Sequence, residues 1–324
     1  MKKRAMSLIA LAALTAVFYA NAEPRIFPVA EVASQADVYP DRVTRFPNGV
    51  TGLADVTYSV IPGFRPLVLD LYQPTGDALE PLVLFVHGGG WVGGNTRHSG
   101  ALENFPLALA ELAAEGFVVA SVEYRLSGEA PFPAALQDVR AALRYLKGNA
   151  EKYRIEPSKV AIWGGSAGGQ LAALAAVSCG DQTLDAAPAQ RRSECVQGAV
   201  VWYGVFDFAP VVAGGAGGSV GRYLDCESSC NAATVRRASP VSYLSSDDPP
   251  FLLIHGEQDQ TVDIAQSRSF EAALRHEGVE VRSLYIPSVD HSFVGRTPEE
   301  TRAATLAATN ATFDFFHTLF DGAP

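Results

Sequence analysis

The sequence predicts an α/β protein in which one mostly parallel sheet carries helices on both faces and a short lid-like insertion covers one end. Three observations support that prediction. Short apolar runs recur at Leu67–Tyr72, Leu82–Val86, Phe117–Val122, Val160–Trp163, Ala199–Tyr203, Phe251–Ile254 and Val281–Ile286, each with the length and composition of a buried strand. Amphipathic stretches lie between several of them, among them ENFPLALAELAAEG, PAALQDVRAALRYLKGNA and IAQSRSFEAALRHEG, and EETRAATLAATNATFDFFHTLF follows as a closing helix. Strand and helix alternating in this way imply parallel pairing with both faces covered. The rhythm breaks between Phe206 and Pro250, where no strand is evident and Gly, Ala and Ser dominate. A connection of that length reads as an insertion over the sheet end, a lid or a pocket wall.

The chain opens with Lys2, Lys3 and Arg4, an apolar stretch from Ala5 to Tyr19, and then Ala20-Asn21-Ala22, with small residues at both positions a signal peptidase reads. Residues 1–22 are therefore expected to be an export signal cleaved after Ala22, its apolar part shorter than the ~20 residues a membrane span requires. Residues 23–55 read as an N-terminal leader. Residues 56–324 read as one domain, with the insertion at about 206–250, of a size that a single α/β core fills. The net charge of −10 has no compensating block of Lys or Arg, which argues against nucleic acid or an anionic membrane as partner.

The cysteines number 4, and in an exported protein Cys179, Cys195, Cys226 and Cys230 are expected to form two disulfides. Proximity favours Cys179 with Cys195 and Cys226 with Cys230. No C-x-x-C pair or clustered histidine suggests a metal, since the 6 histidines are scattered at 87, 98, 255, 276, 291 and 317.

The pattern G-x-S-x-G occurs twice, as GGSAG at 164–168 and GGSVG at 217–221. A nucleophilic serine on a strained elbow needs a strand running into it and a helix running out. Ser166 follows Val160-Ala161-Ile162-Trp163 and precedes the helix former QLAALAAV. Ser219 follows a glycine tract and precedes RYLDCESSC, which supports neither element, so GGSVG reads as flexible insertion. Ser166 is the expected nucleophile.

A serine of this kind needs a base, and an acid to orient the base. Both are expected beyond later strands, at the carboxyl edge of the sheet. Asp259 follows Phe251–Ile254 in HGEQDQTV, and His291 follows Val281–Ile286 in DHSF. Glu257, Asp263 and Asp290 are rivals for the acid. His276, His317 and His98 read as solvated or structural, and His255 as a buried, hydrogen-bonded strand end. HGGGW, His87 to Trp91, follows Leu82–Val86, and the amides of Gly89 and Gly90, with that of Ala167, are the expected donors to an oxyanion. Trp91, Phe206 and Phe293 stand beside these positions and are candidates to line an apolar acyl pocket.

From about Val56 onward, HGGGWVGGN, VEYRLSGEAPFPAALQDV, VAIWGGSAGGQLAA, ASPVSYLSSDDPPFLLIHGEQDQTV and DHSF resemble the α/β-hydrolase superfamily. They look most like its BD-FAE-like esterases, a group named after a bifunctional acetylxylan and feruloyl esterase, and more loosely like hormone-sensitive-lipase-type esterases. The resemblance implies a sheet of the eight-stranded type and a cofactor-free serine hydrolase with Ser166, Asp259 and His291 as its triad. It implies an ester substrate, small or linked to a polysaccharide. The alternatives are a general short-chain carboxylesterase, an amidase or peptidase using the same triad, and a non-catalytic binding protein on a hydrolase fold.

Overall fold

The structure, a computed structural model, describes residues 42–185 and 193–321. The expected export signal and all but the end of the expected leader lie outside the described residues. The strands that are described are β1 (Arg42–Arg45), β2 (Thr51–Ser59), β3 (Leu67–Gln73), β4 (Glu80–Val86), β5 (Val118–Val122), β6 (Ile155–Gly165), β7 (Gly198–Trp202), β8 (Phe251–Gly256) and β9 (Val281–Ile286). They join in one sheet in the order β1-β2-β3-β5-β4-β6-β7-β8-β9. Every pairing from β5 through β4 to β9 is parallel, while β1, β2 and β3 add on antiparallel.

Among the described residues the sheet includes Arg42–Arg45, inside the stretch expected to be leader, and holds 9 strands rather than eight. The extra hairpin escapes a reading based on apolar runs for a physical reason. β1 is exposed throughout and β2 is mostly half-buried, so neither shows a continuous apolar signal.

Alternate residues of each central strand feed different cores, because successive side chains leave a strand on opposite faces. Leu82, Leu84, Val86, Val160, Ile162, Ala199 and Val201 belong to one cluster, with the helices α2 (Ala134–Gly148), α4 (Ala167–Val177) and α8 (Ala265–His276). Val83, Phe85, Ala161, Trp163, Val200 and Trp202 belong to the other, with α1 (Phe105–Ala114) and α9 (Pro298–Asp321). A short turn of helix, α3 (Ala150–Tyr153), leads into β6. α1 is started by Asn104, whose side chain accepts from the Leu107 amide, with Pro106 in the first turn.

The insertion between β7 and β8 contains α5 (Ala209–Val212), α6 (Gly218–Leu224) and α7 (Ala232–Ala238). GGSVG is therefore not a flexible tract: Gly218 to Gly221 open α6, and the Tyr223 ring at its end stacks on Trp91 with centroids 4.4 Å apart. Glycine content masked a helix that tertiary packing holds in place. The structure pairs Cys179 with Cys195, just past α4, and Cys226 with Cys230, just past α6. Among the described residues no helix is long and apolar enough to cross a membrane.

Candidate active site

β6 leaves the sheet at Gly165 and α4 starts at Ala167, so Ser166 stands alone in the turn, at φ 57° and ψ −121°. Such a backbone is costly for a residue with a side chain and persists only where its surroundings enforce it. The flanking glycines show how that is done. A Cβ on Gly168 would collide with the carbonyl oxygens of Val86 and His87, and one on Gly164 with the carbonyl of Gly168. Strand, turn and helix therefore close on one another at a distance only glycine permits. The Ser166 amide donates to the Trp202 carbonyl at 2.9 Å, tying the turn to β7.

The loop after β9 brings His291 to the same edge, with its Nε2 3.0 Å from the Ser166 hydroxyl and its Nδ1 2.8 Å from Oδ2 of Asp259. A carboxylate only accepts, so in the neutral imidazole Nδ1 carries the proton and Nε2 presents its lone pair to the serine O–H. Asp259 comes from the turn after β8, and its side chain is 0 % exposed. Its Oδ1 accepts the amides of Thr261 and Val262, both at 2.8 Å, and its Oδ2 accepts from His291 and from His255 at 3.1 Å. Burial works to raise the pKa of this carboxyl. The hydrogen bonds from His255, His291 and the Val262 amide outweigh it and hold Asp259 well below the usual carboxylate range.

The rival acids are engaged elsewhere. Glu257 pairs with Arg268, Asp263 caps the Ala265 amide, and Asp290 accepts the amides of Gln260 and His291, which clamps the two loops together. Among the other histidines, His98 faces Asn95, His276 faces Glu277 and His317 faces Glu115. His87 is buried and stacked on Tyr124, its Nδ1 2.7 Å from the Gly88 carbonyl. Burial lowers its pKa to about 4.

A cavity of about 620 Å³ opens over Ser166. Its wall includes Gly90, Trp91, Ala167 and Phe206, and beyond them Val205, Val241, Val262 and Phe270. The insertion contributes Pro210, Val211, Ser219 and Val220, so it does wall the pocket. Among the described residues, the N–H groups of Gly89, Gly90 and Ala167 have no acceptor. Phe293, expected beside Trp91 and Phe206, does not line this cavity. Ser292 and Phe293 both take positive φ, which turns the Phe293 ring into the opposite core against Trp202 and Tyr203, at 5.2 and 4.8 Å.

Three further residues border the site without a part in the motif-based reading of it. Tyr203, at the end of β7, sets its ring 4.7 Å from that of His291 and bonds to Ser292. His255, at the end of β8, reaches the carboxylate that His291 uses. Ser219 sits against Gly90: a Cβ there would lie 3.1 Å from the Ser219 hydroxyl. For Tyr203 and His255 the sequence signal was an aromatic or polar residue at a strand end, which is equally the signature of packing; for Ser219 it was the second G-x-S-x-G match.

The architecture is matched by comparison with known proteins. The family model described as BD-FAE matches residues 69–274. The chain belongs to the BD-FAE family. Esterase LipQ of Mycobacterium tuberculosis is 33% identical over 254 residues, 74% of this chain and 57% of that protein. The chain spans about half the length of the curated relatives it matches, 57% for LipQ and 50% for another. Among solved structures, an acetyl ester-xyloside bifunctional hydrolase from Caldicellulosiruptor lactoaceticus aligns at TM-score 0.65 and 25% identity, covering 80% of this chain and 92% of that one. Esterase 2 of Thermogutta terrifontis aligns at TM-score 0.67 and 21% identity, covering 88% and 96%, and shares the α/β-hydrolase fold.

Proposed function

We propose that the protein is a serine carboxylic-ester hydrolase. The observation that carries this reading is His291, which lies within hydrogen-bond reach of Ser166 on one ring nitrogen and of Asp259 on the other. In the proposed reaction Ser166 Oγ attacks the ester carbonyl while Nε2 of His291 takes its proton, then returns it to the departing alkoxide. Water repeats the sequence on the acyl-enzyme and releases the acid. Asp259 fixes the imidazole tautomer and stabilises the imidazolium. The free amides of Gly90 and Ala167, which border the cavity, with that of Gly89, are the proposed donors to the tetrahedral oxyanion.

For the substrate, we place an apolar acyl group, acetyl up to hydroxycinnamoyl, against Val205, Phe206, Val241 and Phe270. Two considerations support a saccharide-linked ester: the family, and relatives whose names include carbohydrate esterase and acetyl ester-xyloside hydrolase. The cavity has the volume of a site for a drug-sized ligand, more than an acetyl group alone requires. The reading includes export, which the disulfides support, since such bonds persist in oxidising compartments.

The test is a panel of p-nitrophenyl esters of graded chain length with methyl ferulate and acetylated xylan, run beside a serine-directed phosphonate. Turnover and covalent labelling in the wild type, both absent in folded Ser166→Ala, are the expected outcome. Labelling that persists in Ser166→Ala removes Ser166 from the mechanism, and a folded wild type inert to every ester and to the phosphonate favours a binding role.

A further inference from the structure

We propose that His255 is a positioning residue for the acid: its Nε2–H holds Oδ2 of Asp259 at the point where that oxygen meets His291. The proposal rests on the triad reading above and assigns a role to a buried group that reading leaves idle. His255 is the second histidine on a single carboxylate oxygen, at 3.1 Å, with His291 at 2.8 Å. The same Nε2 lies 2.9 Å from the Val262 carbonyl, which only accepts, so Nε2 carries a proton and shares it between the two oxygens. On the other side of the ring Nδ1 lies 2.7 Å from the Ser267 hydroxyl on α8, which fixes the plane of the imidazole.

A purely structural role is met by the Ser267 and Val262 contacts, which already tie β8 to α8 and to the turn. The contact with Oδ2 is surplus to that role and goes to the oxygen the base needs. Each Asp259 oxygen thereby holds two donors: backbone amides on Oδ1 and the two imidazoles on Oδ2. Taking away His255 leaves Oδ2 facing His291 alone. More of the negative charge then falls on that ring, and the protonated form of His291 is favoured. The other groups facing this set are Tyr203, whose ring lies against His291, and Asp290, whose Oδ1 accepts the His291 amide. Neither is bonded to His255.

The experiment compares His255→Leu, which removes the donor, with His255→Gln, whose amide N–H reaches a similar distance from the backbone. In the Leu variant kcat is expected to fall roughly tenfold at unchanged KM, as for a lost hydrogen bond to a charged group. The acid limb of its kcat/KM profile is expected to move up by about half a pH unit. Gln is expected to recover most of both. Ser267→Ala, which keeps the ring but frees its plane, is expected to move the limb in the same direction by less, and it serves if the Leu variant does not fold. Equal losses in Leu and Gln with an unmoved acid limb, or no change in any of the three variants, would overturn the proposal. The titration of the His291 ring, followed by nitrogen-15 NMR, reads the effect without turnover. It therefore decides the role of His255 even if Ser166→Ala were to keep full activity, the result that sinks the triad reading instead.

Discussion

The same five-residue pattern folds into two different objects in this molecule. At 164–168 the glycines are where they are because nothing larger fits: strand, turn and helix meet so closely that added Cβ atoms at Gly164 and Gly168 run into backbone oxygen. At 217–221 the crowding is confined to Gly221, whose added Cβ would meet the Cys226 carbonyl oxygen; Gly217 and Gly218 would meet nothing within 4 Å, and the segment opens a helix whose first residues look into the cavity. In the first frame the serine is strained at φ 57° and bonded to a histidine. In the second it is an ordinary helical residue of a pocket wall. The pattern says which residues are small, and only the flanking elements say why.

The largest effect expected from this contrast is on turnover. On the proposed role of Ser166 as nucleophile, Ser166→Ala should lower kcat by on the order of a million-fold, the loss that follows deletion of a serine nucleophile in a triad. Ser219→Ala, measured in the same ester assay, should change kcat/KM by only a few-fold, through the wall it forms. Comparable losses in the two folded variants would erase the distinction between the frames.

The next effect is on folding. Gly168→Ala forces backbone oxygens of Val86 and His87 apart and should destabilise by more than about 4 kcal/mol, in the range reserved for strain at special backbone sites. Gly217→Ala should shift stability by less than about 1 kcal/mol, because the entropy removed from the unfolded chain opposes the weaker helix start. Urea titrations of both variants decide it, and a Gly168→Ala protein as stable as wild type would mean the elbow is looser than its contacts imply.

How much of this could be read in advance follows the same line. The central strands were legible because they are buried on both faces and so appear as continuous apolar runs. The hairpin β1–β2 was not, because its one-sided or absent burial leaves no run to see. The order Ser166, Asp259, His291 was legible because strand ends are. Phe293 was misplaced because adjacency in sequence to His291 suggested adjacency in the pocket, while a turn with two positive φ angles sends its ring the other way. The places of Ser219 and Tyr203 beside the site were out of reach, since each depends on how separate elements dock; His255 was legible as a buried, hydrogen-bonded strand end, but the turn that folds Asp259 back onto it was not.

A third effect, of intermediate size, is a pH dependence that only the elbow frame carries. His87, whose carbonyl faces Gly168, has its pKa lowered by burial from 6.5 to about 4. Between those values the unfolded chain binds a proton that the folded protein refuses. Stability therefore rises with pH across the interval, is complete above 6.5, and is lost by roughly 3 kcal/mol as the pH falls to about 4. His87→Phe, which keeps a ring against Tyr124, should flatten that slope in urea titrations run from pH 7 to 4. An unchanged slope would place the acid sensitivity elsewhere.

The smallest effect separates the frames by the disulfide that follows each helix. Cys179–Cys195 closes a span of 16 residues behind α4 and Cys226–Cys230 a span of 4 behind α6. On loop-closure entropy, replacing the first pair by serine should cost about 3 kcal/mol and the second about 2 kcal/mol. Their consequences for the ester assay should run the other way. α6 lines the cavity at Ser219 and Val220, and the Cys226 amide bonds back to the Gly221 carbonyl at 2.8 Å, so loosening Cys226–Cys230 frees the wall and should raise KM a few-fold. The Cys179 bridge lies beyond the far end of α4, a helix anchored at Ser166 by the sheet itself, and its loss should lower the melting temperature while leaving KM alone. A double-serine variant at 226 and 230 with wild-type KM would show that the wall is held by the stacking of Tyr223 on Trp91 rather than by the bridge.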